Sequence, residues 1–259
     1  MSARGLFISD LHLLSRRSVG QRHWDLLRRD LHAYDVLLLG GDIFDFRWSL
    51  HGPLDSSVTV ARDWLLQAVD ENPSLRLIYL LGNHDCLTLW QSMLQTVAIE
   101  CPRFCWSEHP LAIGHNVFLH GDILDAGTSH FHLDRYRSQF SEDHRERSDL
   151  AHRIYDAVVA FRMHQLPGHM LHYPRRVTRR LGAYLRSLNL AAEQGIHEVY
   201  FGHTHRPLSG VPFQGQLYFN SGSGVRHLPF RPCRFQCDVE LDEVVEKLTM
   251  SPKSLLRAP

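Results

Sequence analysis

The sequence has no net charge, no long apolar runs and only two lysines. Its 259 residues carry 28 basic and 28 acidic side chains, so the overall charge gives no sign of nucleic-acid binding. No stretch approaches the roughly 20 apolar residues of a membrane-spanning helix, and residues 1–5 lack the apolar core of a signal peptide. We therefore expect a cytoplasmic globular protein that is at most peripheral to the inner membrane.

Cysteine is also scarce. The five cysteines are an odd number, which suits a reducing compartment better than a disulfide framework. Two pairs have C-x3-C spacing: Cys101 with Cys105, and Cys233 with Cys237. Four such thiols can close a structural zinc site, but free buried thiols are the simpler interpretation.

Five short polar motifs occur in a fixed order, and each follows an apolar run typical of a buried strand. Any one of them is common by chance, but chance does not explain all five in order at strand ends. They are Asp10-Leu11-His12, Gly41-Asp42-Ile43-Phe44-Asp45, Gly82-Asn83-His84-Asp85, His120-Gly121-Asp122 and Gly202-His203-Thr204-His205.

Apolar strands that alternate with helical segments predict βαβ units in sheets covered on both faces. In such sheets, ligands collect beyond the carboxyl ends of the strands, where all five motifs lie. Residues 235–241 and 244–249 are predicted to form a closing hairpin, and the turn at residues 220–224 is predicted to support the site. The other predicted strands cover residues 5–9, 36–39, 75–81, 117–119, 198–201 and 217–219.

A long stretch between His120 and His203 interrupts this alternation. A strand-to-helix connection needs only a few residues, and this stretch is far longer. Within a single domain of residues 1–259, we therefore predict a helical insertion or lid over residues 126–195. Residues 160–190 hold six arginines and no acidic residue, and Pro174 suits a helix start.

This predicted basic helix is amphipathic and has two interpretations. Its apolar face packs on the domain and its arginines are solvated, or it contacts an anionic membrane or caps an amphiphilic substrate. The apolar face comprises Val177, Leu181, Tyr184 and Leu188, and a candidate acyl pocket comprises Phe161, Met163, Leu166, Met170 and Leu171.

The motifs supply ligands for two adjacent metal ions. Side chains two apart on a strand point to the same side, which pairs Asp10 with His12 and His203 with His205. Asp42 follows a glycine pair, where a sharp turn lets one carboxylate reach both ions. The seven candidate ligands are Asp10, His12, Asp42, Asn83, His120, His203 and His205.

Two divalent ions held by only two carboxylates leave a positively charged site. Such a site attracts a phosphate dianion and lowers the pKa of a bridging water. Mixed nitrogen and oxygen ligands favour manganese, iron or zinc over magnesium, with manganese preferred. Asp45 is spaced to orient His84 and keep it protonated, which suits a general acid for the leaving group.

These residues resemble the calcineurin-like metallophosphoesterase superfamily, with its pattern D-x-H, GDxxD, GNH[DE], H and GHxH. The resemblance implies an α/β fold, a four-layer α/β/β/α sandwich with a helical insertion, and Asp45 with His84 as the catalytic pair. One departure is Phe46, which replaces a common arginine. The implied ligand sets share Asp42: Asp10, His12, Asp42 and His205 for one ion, and Asp42, Asn83, His120 and His203 for the other.

Within this superfamily, the layout is similar to that of bacterial UDP-2,3-diacylglucosamine pyrophosphohydrolases. The likeness lies in the FISDLHL start, the LHGD block, the helical insertion and the block from Gly202 to Pro207. It implies a phosphorylated small molecule or lipid nucleotide as substrate, with a UDP-2,3-diacylglucosamine-like lipid nucleotide as the leading expectation. The basic helix separately suggests peripheral contact with an anionic membrane through residues 160–190. That subfamily has arginine where this chain has His84, and a general acid suits an ester more than a pyrophosphate. The alternatives are a small-molecule or cyclic-nucleotide phosphodiesterase, a nuclease, and a non-catalytic scaffold.

Overall fold

The computed structural model describes residues 2–127, 129–142, 173–252 and 256–258. Its strands are β1 (Ala3–Ile8), β2 (Val36–Gly40), β3 (Arg76–Leu80), β4 (Phe104–Ser107), β5 (Leu111–Ile113), β6 (Asn116–Leu119), β7 (Glu198–Phe201), β8 (Leu208–Phe213), β9 (Gln216–Asn220), β10 (Cys233–Cys237) and β11 (Leu256–Ala258). Its α-helices are α1 (Gly20–Leu27), α2 (Leu54–Asp70), α3 (Thr88–Glu100), α4 (Ile123–Ala126), α5 (His130–Ser141), α6 (Pro174–Ser187) and α7 (Leu241–Met250). Short 3-10 helices cover Arg28–Ala33, Phe46–Trp48 and Ala192–Gln194.

The strands form two mixed sheets. The first has the order β10-β1-β2-β3-β4, in which β1 to β4 are parallel and β10 is antiparallel to β1. The second has the order β11-β5-β6-β7-β9-β8, in which β6, β7 and β9 are parallel. The carboxyl ends of β1, β2 and β3 therefore meet at one edge, as do those of β6 and β7 in the other sheet.

Alternation along each strand divides the apolar side chains among three packed layers. Along β2, Leu37 and Leu39 join the helices α1, α2 and α3 on the outer face of the first sheet. Val36 and Leu38 instead join the core between the two sheets. Helices α4, α5 and α6 cover the outer face of the second sheet. The result is the predicted α/β/β/α sandwich.

The predicted closing hairpin is wrong in its second half. Strand β10 ends at Cys237, and α7 follows where residues 244–249 were expected to be a strand. Val244, Val245 and Leu248 are buried on one face of this helix and pack into the core between the sheets. Acidic residues in its first turn and Lys247 in its last turn favour a helix through its dipole.

The basic helix begins at Pro174 as predicted, and its apolar face packs on the domain. Val177, Leu181 and Tyr184 are buried against the second sheet and α4, while Arg175 and Arg179 are exposed. The candidate acyl-pocket residues between 161 and 171 lie outside the described residues. No helix in the described ranges combines the length and the apolar character that crossing a bilayer requires.

All five cysteines are free thiols. Cys105, Cys233 and Cys237 lie in the core between the sheets, whereas Cys101 packs against the cluster on the opposite face of the first sheet. The first C-x3-C pair is therefore divided between two core layers.

Candidate metal centre

Every predicted ligand follows the carboxyl end of a parallel strand. Asp10 comes two residues after β1, Asp42 two after β2, Asn83 three after β3, and His120 directly after β6. The last pair, His203 and His205, follows β7 in the same way. The two sheets thus bring all five motifs to one edge of the sandwich.

Five of the seven candidate ligands are presented by left-handed backbone rather than by strand alternation. The φ angles are 54° at Asp10, 49° at His12, 52° at Asp42, 65° at His203 and 55° at His205. This corrects the expectation that each pair lies on a strand, since β1 and β7 end before them. Such backbone costs roughly 1–2 kcal/mol per residue, although Asp and His tolerate it better than most residues.

Hydrogen bonds between the loops hold these conformations. The N–H of Asp10 donates to the carbonyl of Gly41 and the N–H of His12 donates to the carbonyl of Asp42, each at 3.0 Å. Both carboxylate oxygens of Asp10 lie 3.0 Å from the N–H of His203. The two sheets are therefore joined directly through the site.

The first group of converging ligand atoms belongs to Asp10, His12 and His205, and all lie within 4.8 Å of one another. Nε2 of His205 is 3.2 Å from Oδ1 of Asp10 and 3.0 Å from Nε2 of His12. Asp10 and His12 have no exposed surface. These three side chains belong to the first predicted ligand set.

The second group comprises Asp42, His120 and His203. Nε2 of His120 is 3.3 Å from Oδ2 of Asp42. Nδ1 of His120 donates to the carbonyl of Gly40 at 3.0 Å, so Nε2 is the nitrogen left for a metal. Nε2 of His203 lies 2.8 Å from Oδ2 of Asp125. That contact leaves Nδ1 of His203 for a metal.

Asp42 lies between the two groups. It also converges with His12 and His84, and its Oδ2 is 4.0 Å from Nε2 of His12. Its other oxygen, Oδ1, accepts the backbone N–H of His84 at 2.8 Å. The sequence-based set did not count His84 as a ligand.

One candidate ligand atom provides a test of whether cations fit here. Oδ1 of Asn83 is buried and makes no hydrogen bond. Leaving such an atom without a partner costs roughly 1–3 kcal/mol. A divalent cation would satisfy it, and the set of carboxylates, imidazoles and an amide suits a transition metal.

Burial and charge set the protonation of the ligand histidines. Burial, reinforced by the charge of Arg17, lowers the pKa of His12 to about 3, so this ring is neutral and able to bind a cation. Burial acts against charge at His120 too, but the Asp42 carboxylate outweighs it and raises the pKa to about 10. A metal at His120 must therefore displace a proton.

The predicted catalytic pair is formed beside this centre. Nδ1 of His84 lies 3.0 Å from Oδ1 of Asp45, which is fully buried. Burial opposes a charge on His84, but the charges of Asp45 and Asp42 outweigh it and raise its pKa. The arrangement favours the protonated form of the imidazole at the edge of the centre.

Several supporting residues were not found from the sequence. Asp85 accepts the N–H of Ile43, the N–H of Gly82 and the hydroxyl of Tyr79, so one carboxylate joins the Asp42 and Asn83 loops. The only sequence signal for this supporting role of Asp85 was its position at the end of the motif Gly82-Asn83-His84-Asp85.

A buried ion pair supports the other side of the centre. Arg137 donates two hydrogen bonds to Asp122, at 2.7 and 3.0 Å, and a third to the carbonyl of Leu81. Arg137 lies in the predicted insertion, so no motif pointed to it. The pair ties α5 to the loop that carries His120.

The turn at residues 220–224 supports the site from behind, as predicted. Nδ2 of Asn220 donates to the carbonyl of Gly202 at 2.8 Å. The hydroxyl of Ser223 and the N–H of Gly224 both donate to the carbonyl of Asp10.

The fold and the site define a metal-dependent phosphoester hydrolase. The sequence model of calcineurin-like phosphoesterases matches residues 3–207, and the chain belongs to this family. No curated protein matches the chain. Among solved structures, a dimetal phosphatase from Danio rerio covers 86% of this chain and 88% of its own, with 14% identity and a TM-score of 0.45.

Proposed function

We propose that the protein hydrolyses phosphoesters with two divalent ions, and that His84 protonates the departing oxygen. The observation that carries this is the His84–Asp45 contact of 3.0 Å. The backbone of the same histidine is tied to Asp42 at 2.8 Å. An acid fixed to the central carboxylate is well placed beside a phosphoryl group bound there.

The ligand sets proposed for the two ions are those of the sequence analysis, with Asp42 shared. Asp42 belongs to two of the three converging groups, one with His12 and His84 and one with His120 and His203. This double membership supports the shared role. When bound, such ions polarise phosphoryl oxygens and activate water. Asp10 and Asp42 provide two negative charges against four positive ones, so the loaded site favours an anionic substrate. The donor set supports manganese as the native metal, with iron or zinc as alternatives.

His84 separates the candidate substrates. An ester expels a poor leaving group that benefits from protonation, whereas a pyrophosphate expels a phosphate that needs little. A phosphodiester is therefore the substrate class that the site supports best.

A lipid-linked nucleotide is the second candidate, and one observation favours it. The arginine-bearing helix α6 packs against α4, whose Asp125 contacts His203. Exposed arginines on that helix, including Arg175, Arg176 and Arg179, could bind an anionic amphiphile or a membrane surface. The free thiols support a cytoplasmic location.

The test is manganese-dependent hydrolysis of bis-(p-nitrophenyl) phosphate beside UDP-2,3-diacylglucosamine. We expect Asp42→Ala to abolish hydrolysis of both, and Asp63→Ala, a surface control at 65% side-chain exposure, to leave it unchanged. Preference for the lipid nucleotide would select the second candidate. Failure of the metal-loaded protein on both substrates would favour a non-catalytic scaffold.

A further inference from the structure

A second buried arginine, Arg17, lies against the catalytic pair. It belongs to the loop between β1 and α1, where its carbonyl accepts the N–H of Arg226 at 2.9 Å. Its side chain is only 8% exposed. Nη2 lies 2.7 Å from Oδ2 of Asp45 and 3.1 Å from Nδ1 of His12. One nitrogen therefore contacts both a proposed metal ligand and the carboxylate that orients His84.

The two oxygens of Asp45 face different groups, and Oδ2 also lies 3.7 Å from Nδ1 of His12. Oδ1 faces His84 at 3.0 Å, and Oδ2 accepts from Arg17 at 2.7 Å. A short charge-assisted bond from a planar guanidinium fixes the rotation of the carboxylate. The oxygen that faces His84 is consequently held in place by the contact on the opposite oxygen.

The other buried arginine shows what a purely supporting role looks like. Arg137 binds Asp122 through two nitrogens, and its further bonds go to the backbone carbonyls of Leu81 and Glu108. None of those four contacts reaches His84, Asp45 or a predicted metal ligand directly. The contacts of Arg17 at Nη2 go to Asp45 and to His12.

We propose that Arg17 is a positioning residue for the leaving-group acid: it fixes Asp45, and through it the orientation of His84. The inference rests on the proposed function, in which His84 protonates the departing oxygen. In this role Arg17 acts through Asp45 and not on the substrate, because its guanidinium is buried and contacts the oxygen of Asp45 that His84 does not. Its loss should therefore matter in proportion to how much the leaving group needs a proton.

The test compares two diesters on the manganese-loaded enzyme: bis-(p-nitrophenyl) phosphate, with a good leaving group, and diphenyl phosphate, with a poor one. General acids contribute about 10²–10⁴-fold where protonation is needed. We expect His84→Gln to lose about 100-fold on diphenyl phosphate and Arg17→Met at least about tenfold, with losses below about fivefold on the good leaving group. The variant with both changes should be no slower than His84→Gln alone, because both residues act on one step.

Arg17→Lys keeps a charge but not the planar fork. Its loss of rate should be smaller than that of Arg17→Met, and should again be greater on diphenyl phosphate than on bis-(p-nitrophenyl) phosphate. Arg137→Lys is the matched control for a buried arginine, and should lower the melting temperature without changing the ratio of the two rates. Metal content is measured on each variant. If Arg17→Met does not fold, Arg17→Lys carries the same comparison.

Equal losses on both esters, losses that multiply in the double variant, or loss of bound metal from the Arg17 variants would each overturn the inference. If His84→Gln shows no leaving-group preference, the proposed function and this inference both fail. If His84→Gln shows the preference and the Arg17 variants do not, the inference alone fails.

Discussion

Replacing Gly82 by alanine should remove the central carboxylate from the metal centre. A Cβ at Gly82 would lie 2.2 Å from Oδ1 of Asp42 and 2.6 Å from its backbone nitrogen, whereas ordinary contact begins at 3.4 Å. Gly82 is not among the residues with positive φ, so the resistance to alanine is purely steric. Asp42 would have to retreat by about 1 Å, while metal–ligand distances tolerate about 0.2 Å.

The expected result is a protein that folds but binds metal poorly. Overpacking of this kind costs about 1–3 kcal/mol of unfolding free energy, and a 1 Å misplacement can cost about 100-fold in rate. Gly52→Ala is the matched control, because Gly52 has a φ of 70° but nothing within 4 Å of an added Cβ. It should lose about 1–2 kcal/mol of stability through backbone strain and keep its metal. Elemental analysis and hydrolysis of bis-(p-nitrophenyl) phosphate check both variants, and a Gly82→Ala enzyme with two ions and the wild-type rate would refute the reasoning.

Two further predictions concern the metal ligands. Asp125→Asn replaces the carboxylate that orients His203 by an uncharged amide, so metal affinity should fall about tenfold. Metal titration of this variant beside an Asp134→Asn control on α5 checks the prediction. An unchanged affinity would contradict it. Because the pKa of His120 is raised to about 10 in the metal-free site, its ring is protonated at neutral pH, and metal uptake should release about one proton. Affinity should therefore fall as the pH drops from 8 to 6, which calorimetry in buffers of different ionisation enthalpy would measure; a pH-independent affinity would count against this account.

The sequence predicted which side chains meet at this edge because the candidate ligands are local to strand ends. Each motif follows an apolar run, and parallel strands bring their carboxyl ends together. The backbone that presents the ligands was predicted wrongly, since Asp10 and His12 fit both strand alternation and the left-handed region. Only the contacts between loops, such as Asp10 with Gly41, decide between them.

Long-range contacts account for most of what was missed. Arg17 and Arg137 occupy segments with no motif, and their partners are 28 and 15 residues away in sequence. The error at α7 has a different source, because valines at 244 and 245 favour a strand by propensity. The spacing of Val244 and Leu248 fits a helix equally well, and packing between the sheets selects it.

The left-handed ligand positions also restrict how this centre can be lost during evolution. β-Branched residues are strongly disfavoured there, whereas asparagine and glycine are tolerated. A lineage that gives up catalysis would pass most easily through asparagine at Asp10 or Asp42, which keeps both the backbone and an oxygen ligand. Such a protein would retain the loops of the ancestor and could regain activity by reversal, so inactive relatives should preserve the site's shape long after its chemistry.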